Sequence, residues 1–370
     1  MNTLTLKPTR LPVGLILFLF IIMFVTVGSV NAQEEQTEES TGKKEKSKQI
    51  VDLFTSDEPL EVILRYDLSA YMRKSAENAP IDADMAFVID GDTIDNDINI
   101  NHRGFFRLHY CIFPPIEVKF KKAIYAYRDT TKIKKLKLVT HCANGSIYDE
   151  YVLREFLVYK LYNALTDSSY RVRLLNITYY DTRRSRKPSV YHGFFIEPKK
   201  MMADRLNSVA IKVPTLNQSH IDPSVMDRVA IFNYMIGNWD WAVQSQHNIH
   251  VVKSLAYNPT GLGIAIPFDF DLTGVVNVDY NAPPPETGLQ TNRDRIFKGM
   301  CRDREVYRSD VLKFEEKKDK LYEVVNNFPY LDKRAKLDII NYLEEFFRPI
   351  ERPFTFDNML STFVNSCSKK

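Results

Sequence analysis

Ile236-Gly237-Asn238-Trp239-Asp240-Trp241-Ala242-Val243-Gln244-Ser245-Gln246-His247-Asn248, followed after two short apolar runs by Pro267-Phe268-Asp269-Phe270-Asp271, is the stretch on which the reading of this chain turns. Asp269 and Asp271 stand at the end of an apolar strand, and Asp240 and Asn248 in the polar loop before it. Together they offer the oxygen ligands that suit a hard cation such as magnesium, and sites of that kind leave positions for phosphate oxygens. Taken singly, each is an ordinary loop cap or turn former. The elements around them carry the argument. Val225 to Ile236 has helical spacing. Ile249-His250-Val251-Val252 and Gly263-Ile264-Ala265-Ile266 read as a hairpin, with Gly261-Leu262-Gly263 as its turn. From about Val311 the chain is mostly helical.

Upstream the pattern is different. Leu60 to Tyr66, Met85 to Ile89, Ile98 to Ile100, Ile116 to Phe120 and Leu136 to Val139 are short alternating or apolar runs broken by turn residues, and they read as antiparallel strands. Period two places the lysines of the last two runs on one face. Tyr151 to Leu165 then has apolar groups three and four residues apart with no Gly or Pro, which predicts a helix of about four turns. Strands return at Leu174 to Tyr180 and Tyr191 to Ile196, and Pro198 closes the second. The expected fold class is α+β, with a β-rich half at 49–198 containing one helix, then a mainly helical half at 199–370.

The 370 residues are 44% hydrophobic and 26% charged, a globular composition. Lys and Arg total 50 against 47 Asp and Glu. No clustered positive surplus is available to neutralise nucleic-acid phosphates, so nucleic acid is not an expected partner. With only 13 glycines, the chain contains neither a Walker nor a Rossmann phosphate loop. Lys7 and Arg10, an apolar run from Val13 to Val27 and a small-residue end at Ala32 have the order of a secretory signal peptide (1–32). An uncleaved membrane anchor is the alternative. Export to the periplasm, cell surface or medium is expected in both cases. Residues 33–48 hold no aliphatic or aromatic side chain at all and read as a disordered linker, the folded pattern beginning at about Gln49. Cys111, Cys142, Cys301 and Cys367 lack the spacing of a zinc site. One or two disulfides and buried thiols both fit, and Cys111 with Cys142 is the favoured pair because both flank the β-rich region.

The order of parts is a lysine-bearing strand, a helix with an internal Glu, two strands, a Glu, a helix, an Asp-to-Asn loop, a hairpin and an Asp-Phe pair. On Asn101-His102-Arg103-Gly104, Pro114 to Phe120, Lys134 to Leu138, Leu153-Arg154-Glu155, Tyr191 to Glu197, Gly237 to Asp240 with His247-Asn248, and Pro267 to Asp271, the chain resembles the CotH kinase family of atypical, often exported kinases. The resemblance runs from about Ile98 to Gly274. It implies a bilobal protein-kinase-like fold with a β-rich N-lobe and a helical C-lobe. It further implies transfer of phosphate from ATP, with Mg2+ or Mn2+, to a hydroxyl of a protein or surface-associated acceptor.

Carried over by position, Lys137 would contact the nucleotide α/β phosphates, with Lys135 or Lys119 as fallbacks, and Glu155 would hold that lysine. Glu197 would lie near the adenine. Asp240 would serve the acceptor hydroxyl, Asn248 would bind one magnesium, and Asp269 would bridge metal and phosphate. Asp271 stands where conventional kinases have glycine and would add a ligand or simply replace it. Two departures matter. Asp240 and Asn248 are eight residues apart, against roughly five in the usual kinase loop, so the loop must bulge. Gly104 in Arg103-Gly104-Phe105-Phe106-Arg107 is the only residue left for a glycine-rich phosphate cover. These departures keep two alternatives open: a catalytically inactive kinase-like binding module, and a metal-dependent phosphoesterase using Asp269 and Asp271.

Overall fold

Period-two patterning divides the strands between two cores. In the computed structural model, which describes residues 50–73, 79–104, 106–126, 131–213, 215–256 and 260–367, the first half contains β1 (Ile50–Val51), β2 (Leu60–Tyr66), α1 (Leu68–Met72), β3 (Ile81–Ile89), β4 (Asp92–His102), α2 (Phe106–Tyr110), β5 (Ile116–Ala126), β6 (Lys132–Val139), α3 (Ser146–Leu165), β7 (Val172–Asp181) and β8 (Ser189–Ile196). On β2 to β6 one face is apolar, as with Val62 and Leu64 on β2 or Val118 and Phe120 on β5, and that face fills a shared interior. On β7 and β8 both faces are apolar. Leu175, Ile177 and Phe195 join that interior, whereas Leu174, Phe194 and Ile196 face a second core. A strand covered on both sides loses its polar alternation.

The strands are hydrogen-bonded in the order β1-β5-β4-β3-β2-β7-β8-β6, and β6 pairs back to β5, so seven of them close into a barrel with β1 appended. The five upstream runs pair antiparallel as expected, β2 to β3, β4, β5 and β6 in turn. The short β1, however, lies parallel to β5, and β7 joins β2 in parallel, from Leu60↔Leu175 to Tyr66↔Asp181. Parallel neighbours need a long crossover, and here all of β3 to α3 lies between them. A closed barrel is also not the usual small lobe of a kinase. What the chain has is a mixed α+β architecture, a β-rich part followed by several helices.

Helix α3 covers the barrel wall. Tyr159 and Phe156 meet Phe194 edge-on at 5.6 and 5.8 Å. A helix apolar around its whole circumference belongs in an interior, and both Arg154 and Glu155 are buried with it. The remaining elements are α4 (Lys199–Arg205), β9 (Ser208–Ala210), α5 (Pro223–Met235), β10 (Ile249–Ser254), β11 (Ile264–Pro267), α6 (Arg304–Glu315), α7 (Lys318–Asn326), α8 (Lys333–Phe347) and α9 (Pro353–Ser366), with β9, β10 and β11 forming a small antiparallel sheet. The last helical region begins at Arg304, seven residues before the expected Val311. Its first turn already carries Tyr307, which is buried and stands four residues before Val311 and seven before Phe314, so the apolar stripe starts one turn earlier than expected.

Cys111 pairs with Cys142, and Cys301 with Cys367. Loops closed over sequence separations of 31 and 66 residues are worth about 3.5–4.5 kcal/mol each in the chain-entropy account. Among the described residues no helix is long and apolar enough to cross a membrane. The expected signal segment and linker lie outside the described residues.

Candidate functional site

Helix α5 is entered through Asp222, whose carboxylate accepts from Ser224 N and Val225 N at 3.0 and 3.2 Å, with Pro223 in the first turn. It ends at Gly237, which has φ +67°, and a Cβ there would collide with the Tyr342 hydroxyl. The chain that leaves this glycine carries Asp240. Asn238 donates to Asn233 Oδ1 at 2.8 Å and accepts the Asp240 N–H at 2.9 Å, which sets the start of the loop. Ala242 and His247 then exchange backbone hydrogen bonds of 3.0 and 2.9 Å around a tight turn with Gln246 at φ +53°. That turn absorbs the extra residues. Asn248 Nδ2 comes back to donate to the Asp240 carbonyl at 2.8 Å and to Asp240 Oδ2 at 3.0 Å, while His247 Nε2 meets Oδ1 at 2.7 Å. The wide spacing is therefore a small hairpin that brings Asn248 to Asp240.

Asn248 and Asp269 both take positive φ, +51° and +64°, at the open end of the β10–β11 pair, where Phe268 N donates to the Asn248 carbonyl at 3.0 Å. Left-handed backbone at non-glycine residues is uncommon and is held by its surroundings. Here the Asp269 N–H is tied to the Tyr159 hydroxyl at 2.8 Å, and Phe270 packs between Tyr159 and Phe232. With Phe270 buried, the two flanking aspartates line a cavity of about 380 Å³ together with Asp240 and Asn248. Four of the seven residues expected at a site thus share one cavity. Arg103, Gly104 and Arg107 line it from the barrel side, and Gly104 is left-handed at φ +76°.

The charge in this cavity is dense. Burial and the neighbouring Asp269 push the Asp271 carboxyl up to about 7. Glu155 is buried behind it, and burial first, then Asp271 and Asp269, raise it well above the usual carboxylate range. Burial works against the Arg107 charge, but Tyr280, Asp271, Glu155 and Asp269 hold it up. Arg107 Nη2 donates to the Thr140 carbonyl at 2.6 Å. Its Nε–H, the Arg103 Nε–H and Glu155 Oε1 have no partner among the described residues.

The other expected residues fall elsewhere. Lys137 lies with its ammonium 5.0 Å from the Phe268 ring centroid, beside the cavity and not on its lining. Its side chain keeps solvent access, yet burial of the amine and the nearby Arg103 lower its pKa, with Asp269 opposing them. No ion pair joins it to Glu155 among the described residues. Lys119 and Lys135 both reach Glu117, at 3.3 and 3.6 Å, on the outer barrel face. Glu197 is fully buried, and its two oxygens take Arg171 and Arg205 from several directions at 2.7–3.1 Å. It does not line the cavity. Three cations escaped the sequence reading. Arg103 and Arg107 were visible only as the flanks of a substitute for a glycine loop, and Lys298, whose ammonium donates to the carbonyls of Trp239 and Trp241 on either side of Asp240, lies far downstream in a segment with no period to mark it.

Among the described residues no group of three or more His, Cys, Asp and Glu is arranged to hold a metal ion. The set near Asp269 relies instead on the Asn248 amide oxygen and two carboxylates, of which Asp269 helps raise the cost of ionising Asp271. A divalent cation would relieve that cost, so the donor chemistry fits a hard cation.

No protein-family model and no curated protein matches the chain. Among solved structures, that of a Helicobacter pylori proinflammatory kinase, CtkA, superposes with a TM-score of 0.37 at 11% identity, covering 66% of this chain and 95% of that one. So loose a superposition assigns neither a reaction nor a family.

Proposed function

We propose that the chain is an atypical kinase that transfers the terminal phosphoryl group of ATP to a hydroxyl of a protein or envelope-associated acceptor. The observation that carries this reading is the convergence of Asp240, Asn248, Asp269 and Asp271 with Arg103 and Arg107 on one cavity. Acidic and amide oxygens on one side and unpaired guanidinium N–H groups on the other are what a metal-bound polyphosphate needs.

In this reading Asp240 accepts the proton of the acceptor hydroxyl as its oxygen bonds to the terminal phosphorus. The bond from that phosphorus to the bridging oxygen breaks, and the nucleoside diphosphate leaves with its electron pair. Asn248 and Asp269 would hold Mg2+ or Mn2+, and Asp271 would add a ligand. When bound, the ion neutralises charge on the phosphate oxygens. Arg103 and Arg107 steady the phosphates in place of a glycine-rich cover. Lys298 fixes the backbone on either side of Asp240, and Lys137 extends the positive edge toward the nucleotide. Glu197 has a structural part only, since Arg171 and Arg205 use both its oxygens. Exported residence is part of the proposal, and two disulfides with no free cysteine suit an oxidising compartment.

The missing Lys137–Glu155 pair favours a second reading, a nucleotide-binding module without turnover. Labelled ATP with Mg2+ or Mn2+ separates the two. Transfer to the chain itself or to envelope proteins, lost at least 100-fold in Asp269→Ala with the fold intact, is the expected result. A folded Asp269→Ala protein with full transfer would end the proposal, and Mg-ATP stabilisation of the wild type without transfer would leave the binder.

A further inference from the structure

A second cavity, of about 410 Å³, opens at the end of the barrel where β2 and β7 finish, and it shares no lining residue with the acidic cleft. Its lining combines the apolar side chains of Leu68, Met72 and Ile112 with the rings of Phe113, His141 and Tyr179. Arg186 and Lys187, from the β7–β8 connection Arg183-Arg184-Ser185-Arg186-Lys187, and Asp181 supply its charges. Arg186 stands 3.9 Å from Asp181. Lys187 meets no carboxylate among the described residues, so one positive charge at the mouth is unspent. Burial lowers the His141 pKa to about 4, which leaves the imidazole neutral near pH 7.

Three features point to a ligand. The size falls in the range of small-molecule sites, which are mostly apolar with a few polar anchors. Large apolar groups at the mouth stay exposed, Met72 at 39%, Ile112 at 46% and Tyr180 at 40%. His141 Nδ1, the Tyr179 hydroxyl and Asp181 Oδ2 are buried in the wall without hydrogen-bond partners, and a polar group entering from the cavity, or a water it carries, would supply them. The Cys111–Cys142 disulfide holds two parts of the wall together, and Phe113 N donates to the Cys142 carbonyl at 3.0 Å. The site is therefore braced before any ligand arrives.

We propose that this barrel-mouth cavity binds a small ring-bearing anion, an aromatic carboxylate, sulfonate or phosphate ester, with the ring among Ile112, Phe113 and Tyr179 and the anionic group at Lys187 and Arg186. Ring faces and apolar chains supply the burial, and the uncompensated cation selects the charge. The site does not depend on phosphoryl transfer in the acidic cleft.

The test uses the full chain and two dyes with the same rings, 8-anilinonaphthalene-1-sulfonate and the uncharged N-phenyl-1-naphthylamine. The sulfonate should bind saturably at one site, at least tenfold more tightly than the neutral dye. Lys187→Glu and Ile112→Asp, both at exposed positions, should each weaken it at least fivefold with circular dichroism and Tm unchanged, whereas Asp269→Ala in the other cleft should leave it as it was. Non-saturating fluorescence, equal binding of the two dyes, or an affinity that either of the first two substitutions leaves within twofold overturns the proposal.

Discussion

Two buried glutamates, one within α3 and one directly after β8, look alike in sequence and behave in opposite ways. Glu197, at the end of β8, is enclosed by Arg171 and Arg205 with both oxygens engaged. Glu155, in the middle of α3, is equally buried but faces Asp271 and Asp269, has an oxygen without a partner, and is driven toward its neutral form. A buried charge with its full set of hydrogen bonds is a structural clamp, whereas one kept short of partners beside other acids is held for something that arrives later. The environment, and not the residue type or its burial, separates the two.

The comparison can be broken by substitution. The largest effect should come from Glu197→Ala, which strands two guanidinium groups and should cost about 3–5 kcal/mol of stability, read by urea unfolding. A change under about 1 kcal/mol would show that the clamp is ornamental.

Glu155→Gln should do the reverse. Because the folded pKa lies above the unfolded one, the wild-type protein loses stability as pH rises from the ordinary carboxylate range toward the folded value, at a slope approaching about 1.4 kcal/mol per pH unit. The amide has no charge to lose, so the variant should match the wild type at pH 4 and be the more stable protein at pH 8. A variant less stable at pH 8 would mean that Glu155 is an ionised partner of Arg107.

Asp271 adds a smaller, metal-dependent version of the same effect. Its carboxyl titrates near 7 instead of the usual range, so Mg2+ should raise Tm clearly at pH 8 and little at pH 5, where the proton already neutralises the oxygen. An equal shift at both values would place the ion elsewhere.

The smallest effect is expected at His247. Its hydrogen bond to Asp240 raises its pKa above the ordinary histidine value. The stabilisation from that pair is present in acid and lost as pH rises through the raised pKa. A protonated imidazole also makes Asp240 a poorer proton acceptor. Transfer should therefore rise with pH through this titration, and His247→Gln should flatten that limb while changing the plateau rate by less than about tenfold.

Much of this architecture was legible along the chain because it is local. The alternation of Leu60 to Tyr66 coincides with β2, the helical spacing of Val225 to Ile236 falls on α5, and the apolar spacing of Tyr151 to Leu165 lies inside α3. Asp240, Asn248, Asp269 and Asp271 could be picked out because acidic and amide residues cluster at the ends of two neighbouring elements. Lys298 and the roles of Arg103 and Arg107 were not readable, since nothing in their own neighbourhoods says which loop they will reach.

Element type and the mixed α+β class were determined by sequence alone, which also nominated the candidate oxygen ligands, through periodicity and turn chemistry that act over a few residues. Closure of the barrel through the parallel β2–β7 seam, the pairing of four cysteines, and the division of two similar glutamates into a clamp and a poised acid were decided only by tertiary structure. Each depends on groups brought together from distant positions, and the energy of a buried charge is set by what surrounds it in space.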